Sequence, residues 1–181
     1  MHSMAMMERS SASMSRSIGD IMFNFHKKTE HSPTVLYAPA TGNLMMIEQV
    51  KDPVFSQKLM GDGYAVHPKD GSITAPVNGT IMTIFPTKHA IGILTNNKEE
   101  VILHMGINTV ELDGIPFTLH VKEGDIVSST QVLADVDLTY LHEHHIEPTI
   151  IVVFTNRNAA QQLVLQPASD VLHGQVIGNL Q

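Results

Sequence analysis

Residues 79–105 read GTIMTIFPTKHAIGILTNNKEEVILHM. Three short apolar, β-branched runs, 80–85, 90–95 and 100–105, alternate with polar breaks, the pattern of neighbouring strands rather than of a helix. The same rhythm continues outward in both directions. Strands are expected at 34–38, 43–48, 64–67 and 72–75 on one side, and at 117–121, 131–136, 149–155, 162–165 and 171–177 on the other. Between them lie Thr41-Gly42, Asp62-Gly63, Asp70-Gly71, Asn78-Gly79, Asp113-Gly114 and Glu123-Gly124, pairs that supply the positive φ of tight hairpins. Only two helices are expected in this region. One runs from Pro53 through Lys58, with Asp52 as its cap, and the other from Leu138 to His145. Many short strands at regular spacing predict an all-β domain, a flattened sandwich or barrel of antiparallel strands with one or two short helices.

The 181 residues suit one such domain, expected over 34–181, preceded by a tail over 1–33. Hydrophobic residues make up 43%, enough for a packed core, so a wholly disordered chain is excluded. The tail is different. Residues 1–17 hold five of the eleven methionines in a Ser-rich, aperiodic stretch that reads as disordered or as a start-site extension. Ile18, Ile21, Met22 and Phe25 then fall at helical spacing before His26, Lys27 and Lys28, which fits a short amphipathic helix or a frayed tail. Glu30 to Pro33 reads as a linker.

Composition narrows the chemistry. Cysteine is absent, which removes disulfides, thiolate catalysis and Cys-ligated metal. A net charge of −7 and 5% aromatic content argue against nucleic-acid binding. No signal peptide or apolar run long enough to span a bilayer is evident, so a cytoplasmic location is expected. No glycine-rich nucleotide motif occurs either, so phosphate handled by the chain has to come from another protein. Histidine is the residue left to consider, with eleven copies.

His89 opens one apolar run and His104 nearly closes the next. If those runs pair as antiparallel neighbours, the two imidazoles meet, and Thr87 shares the face of His89. Such a pair suits phosphoryl carriage, because a neutral imidazole is nucleophilic near pH 7 and a second one can bond the phosphoryl oxygens. Two ordinary strand histidines with local hydrogen bonds are the alternative. His142 and His145 are a second candidate, as a metal pair one helical turn apart or as a solvated helix face. His67, His120 and His173 have no evident partner and read as structural.

Seven stretches together resemble the glucose-type IIA component of the bacterial phosphoenolpyruvate:sugar phosphotransferase system (EIIA, glucose family). They are APATG (38–42), DPVFSQKLMGDGYAV (52–66), APVNGTI (75–81), FPTKHAIGI (85–93), EVILHMGINTVELDG (100–114), the F-x-x-x-V-x-x-G-D-x-V pattern of 117–127 and TIIVVFTN (149–156). The resemblance implies a β-sandwich or barrel and a phosphoryl carrier. His104 takes the place of the phosphorylated histidine, His89 that of its stabilising partner, and Thr87 that of a threonine bonded to the active histidine. Asp52, Val54, Phe55, Leu59, Met60, Phe85, Ile102, Asn108 and Val110 match the family's partner-docking patch. The implied partners are the phosphocarrier HPr, an EIIB domain of a sugar permease and regulatory targets that read the phosphorylation state. Membrane contact is implied only through the permease.

The resemblance also implies a departure: the family usually has Asp where this chain has Asn108. No cofactor is implied, and zinc at His89 and His104 would be adventitious or completed by a partner. With no cysteine for an EIIB domain, the chain is expected to pass phosphate to a separate one. A zinc hydrolase of related β-architecture is the competing class. It needs an H-x-x-x-D and an H-x-H, and only His142-x-His144 supplies either.

Overall fold

The β-branched runs at 90–95 and 100–105 form a hairpin with the bounds expected. The computed structural model describes residues 32–167 and 169–181. Its strands in chain order are β1 (Thr34–Tyr37), β2 (Gly42–Met46), β3 (Asp62–Pro68), β4 (Ser72–Thr74), β5 (Gly79–Ile84), β6 (Ala90–Thr95) and β7 (Glu100–Met105). There follow β8 (Phe117–Leu119), β9 (Ile126–Val127), β10 (Val132–Val136), β11 (Ile150–Phe154), β12 (Leu163–Leu165), β13 (Asp170–Val171) and β14 (Val176–Leu180). Two short helices, α1 (Pro53–Ser56) and α2 (Leu138–Glu143), interrupt them.

The largest sheet has eight strands in the order β13-β2-β3-β11-β7-β6-β5-β9, and two three-stranded sheets run β1-β14-β12 and β4-β10-β8. Every pairing among them is antiparallel. One hydrophobic cluster joins the three sheets. It includes Leu36 and Ile177 from one small sheet, Ile73 and Leu133 from the other, and Ile91, Leu103 and Val152 from the large one. A β-sandwich results.

Strand alternation decides what lies on the outer face of the large sheet. On β7, Val101, Leu103 and Met105 are buried in the core, so Ile102 and His104 point the other way. On β11, Ile150, Val152 and Phe154 join the core while Ile151 and Val153 belong to a second cluster. That cluster is completed by Ile47, Val50, Phe55, Ala65 and Ile107, so the 47–55 segment covers the outer face. β11 is buried on both faces, which explains its unbroken apolar run.

Several expectations are corrected by the structure. The 171–177 run is two strands in different sheets, β13 on β2 and β14 between β1 and β12, separated by a turn with Gly174 at φ +75°. β9 has no counterpart among the expected strands, because its two residues carry no periodicity. Both helices end two residues early, with Lys58 and His145 at positive φ. Of the six glycine pairs only Gly114 and Gly124 have positive φ. Gly63 instead lies inside β3, where a Cβ would sit 1.9 Å from the Val152 carbonyl oxygen. Close strand approach, rather than turn geometry, requires glycine there. The expected amphipathic helix, and all of the expected 1–33 tail but Ser32 and Pro33, lie outside the described residues.

Candidate functional site

The β6–β7 register pairs Ala90 with His104, and the Met105 amide donates to the His89 carbonyl at 2.8 Å. His89 therefore sits one residue before the paired position, and its ring meets that of His104 with centroids 5.0 Å apart and planes at 73°. Phe85 stands edge-on to His89 at 5.4 Å, and Phe55 edge-on to His104 at 5.1 Å. The Thr87 hydroxyl lies 2.6 Å from Nδ1 of His89. The contact is made within the turn that precedes β6, where Lys88 has φ 55°, and not along an extended strand. The resemblance pointed to a bond between Thr87 and the active histidine; the structure places it on the partner imidazole instead.

Around the two rings is an open depression of about 330 Å³ lined by Asp52, Val54, Phe55, Met60, Phe85, His89, Ala90, Ile102, His104, Asn108, Thr109 and Val110. Eight of the nine expected docking residues are among these. Leu59 is not, although it is 69% exposed close by in sequence. Phe55 is only 5% exposed, so it is floor rather than contact surface. Its burial follows from α1, whose single turn folds the ring inward. Asp52 caps that turn, accepting from the Val54 amide at 2.7 Å, with Pro53 at the first helical position. Ala90 and Thr109 had no signal in the sequence, since neither carries chemistry by itself.

Burial sets the protonation of the pair. His104 is pushed down to about 4, chiefly by desolvation and then by the neighbouring His89, while the Gly106 backbone and Asp52 act in the opposite sense. Burial also lowers His89. Nδ1 of His104 is buried and has no partner in full hydrogen-bonding geometry, the Gly106 backbone giving it only partial support. The nitrogen open to a ligand is consequently Nε2.

Behind the ring the chain turns sharply. Gly106 has φ +77°, and a Cβ there would lie 2.6 Å from Cγ2 of Thr109, so only glycine fits. Asn108 is left-handed as well, at φ 60°, and exposed at the start of a single-turn helix over Thr109–Leu112. The turn is tied to the segment before β11 by Gly106 N–H to the Thr149 carbonyl at 3.0 Å and Ile107 N–H to the Glu147 carbonyl at 2.9 Å.

Three other histidines among the described residues have local partners. Nδ1 of His67 lies 3.1 Å from Glu147, and Nε2 of His120 lies 2.6 Å from Asp135. His144 stacks on Tyr140 at 4.0 Å, and its Nδ1 is 2.8 Å from the Tyr140 carbonyl. His145 lies beyond the helix at φ 56°, so His142 and His145 are not one helical turn apart. Among the described residues no three His, Cys, Asp or Glu side chains converge on a metal-sized site. His89 and His104 offer two donors, and a metal there would need the rest from elsewhere. Among the same residues no helix is long and apolar enough to cross a membrane.

A sandwich that presents two facing imidazoles in an apolar depression defines a histidine-based carrier or binding module. The comparisons name it more closely. The family model for the phosphoenolpyruvate-dependent sugar phosphotransferase system, EIIA 1, matches residues 34–160. The glucose-specific EIIA component of Halalkalibacterium halodurans is 42% identical over 159 residues, covering 85% of this chain and 92% of that protein. The glucose-specific EIICBA component of Streptococcus pneumoniae serotype 4 is 48% identical over 131 residues, 72% of this chain, which spans only 18% of that longer protein. Among solved structures, glucose permease IIA from Mycoplasma capricolum matches with a TM-score of 0.76 at 34% identity, covering 82% of this chain and 96% of that one. The chain belongs to the EIIA 1 family of the sugar phosphotransferase system, whose members are phosphotransferase components.

Proposed function

We propose that the protein is a cytoplasmic phosphoryl carrier for sugar uptake, taking phosphate from phospho-HPr on His104 and passing it to the cysteine of a separate EIIB domain. The observation that supports it best is the pairing of a desolvated His104, neutral near pH 7, with an imidazole whose ring centroid is 5.0 Å away.

The Nε2 lone pair of His104 attacks phosphorus as the donor's P–N bond breaks, and the bond pair returns to the donor nitrogen. His89 serves as the electrostatic clamp. In that role the Thr87 hydroxyl, 2.6 Å from its Nδ1, acts as the donor, which leaves Nε2–H to bond the phosphoryl oxygens. In the second step a thiolate attacks the same phosphorus, the N–P bond breaks and its pair returns to Nε2. Val54, Met60, Phe85, Ile102 and Val110 form the apolar rim on which HPr and EIIB dock, with Asp52 and Asn108 at its polar edge. The two partners then use the same surface in turn. Residues 34–181 form the carrier domain, and 1–33 precede it as a tail.

Incubation with phosphoenolpyruvate, enzyme I and HPr tests the reading. One acid-labile, base-stable phosphate is expected on His104, and none on His104→Ala. Phosphate retained by that variant, or found on Ser or Thr, overturns the assignment.

A further inference from the structure

Thr109 is completely buried, yet it lines the same depression as the two histidines. A buried hydroxyl has one proton to give, and this one goes to the Met105 carbonyl at 2.7 Å, with the Gly106 carbonyl further off at 3.4 Å. The Thr109 methyl packs where a side chain on Gly106 would be. So Thr109 grips, from inside, the two peptide units that follow His104. The Thr149 and Glu147 carbonyls hold the same units from outside through the amides of Gly106 and Ile107.

The position of the Gly106 carbonyl matters to the chemistry. Nδ1 of His104 makes no hydrogen bond, the Gly106 carbonyl is the backbone group that acts on its ring, and only a proton on Nδ1 leaves the Nε2 lone pair free for phosphorus. When the N–P bond forms, the ring carries positive charge until a proton leaves, so an acceptor at Nδ1 is needed most at that moment. Because the Thr109 proton is committed to Met105, the Gly106 oxygen remains available to the imidazole. We propose that Thr109 is a positioning residue for phosphoryl transfer: its hydroxyl holds the 105–106 turn so that the Gly106 carbonyl faces Nδ1 and selects the nucleophilic tautomer of His104.

This inference rests on His104 as the phosphorylated residue and is tested separately from it. Imidazole ¹⁵N spectra of the unphosphorylated protein read the tautomer directly, and phospho-HPr transfer kinetics read its consequence. Thr109→Val keeps the shape and removes the hydroxyl; Thr109→Ser keeps the hydroxyl and removes the methyl. In Thr109→Val the His104 nitrogen shifts should move toward a mixture of tautomers, with phosphorylation slowed roughly ten-fold. Thr109→Ser should keep the wild-type shifts and most of the rate. Wild-type spectra and rate in Thr109→Val, or equal losses in both variants, overturn the proposal. Should Thr109→Val not fold, Thr109→Ser decides alone, an altered His104 tautomer in the folded variant overturning it and wild-type shifts supporting it. Wild-type protein that takes no phosphate on His104 would instead sink the carrier reading, and the spectra recorded without phosphate would still decide the role of Thr109.

Discussion

Ala90 pairs with His104 across the β6–β7 ladder, and that single register places the His89 and His104 rings 5.0 Å apart. A one-residue slip would turn His104 into the core and separate the pair. The Thr87 contact is local by comparison, made to Nδ1 of His89 within the turn that leads into β6.

His89 and Thr87 should act on transfer rather than on acceptance. His89→Gln is expected to take phosphate from HPr but to lose onward transfer to EIIB by roughly a hundred-fold or more. Thr87→Val removes only the group that orients His89, so a smaller loss in the same step is expected. Rapid-quench rates for the two half-reactions check this, and an unchanged onward rate in His89→Gln would show a purely structural histidine.

Asn108 gives a salt-dependent prediction. It lines the site in a left-handed conformation open to Asn and Asp alike, and its side chain makes no capping bond to the following turn. Its side chain is thus available to a partner. Asn108→Asp should speed transfer from phospho-HPr a few-fold at low ionic strength, the gain fading once the Debye length falls to about 8 Å. Stopped-flow rates over a salt series measure it. Equal rates and slopes for both residues would leave the missing carboxylate without functional meaning.

Acid should destabilise the fold through His104. Its folded pKa of about 4 lies below the ordinary histidine value near 6.5, so the unfolded chain binds more protons between them. Stability is therefore full above about pH 6.5, declines as pH falls and levels off below about pH 4, a loss of at most roughly 3 kcal/mol from this residue. Burial makes His89 add to the decline in the same direction. Urea unfolding of wild type and His104→Asn across this window should give a flatter profile for the variant.

Phe55 and Leu59 separate floor from rim. Phe55 is 5% exposed and packs on His104, so Phe55→Ala should cost about 3 kcal/mol or more in denaturant unfolding. Leu59 is 69% exposed, and Leu59→Ala should stay within about 0.5 kcal/mol. A weaker encounter with HPr in Leu59→Ala would extend the docking surface beyond the depression.

Strand content, the position of the β6–β7 hairpin and the pairing of His89 with His104 were legible in the chain, because alternation with period two and antiparallel order are local rules. Motif order likewise pointed to the family. Other features came only with the third dimension. The run at 171–177 divides between two sheets because Gly174 turns the chain, and periodicity does not say which neighbour a strand finds. Thr87 bonds His89 and not His104 because side-chain reach depends on where the rings settle after packing. Phe55 and Thr109 became part of the site through burial, the first folded in by a one-turn helix and the second pinned beneath Gly106. The unpartnered Nδ1 of His104 is also a tertiary fact. Residue types set which chemistry was available to this protein; the burial of the ring and the nitrogen left open were decided by the atoms that close around it.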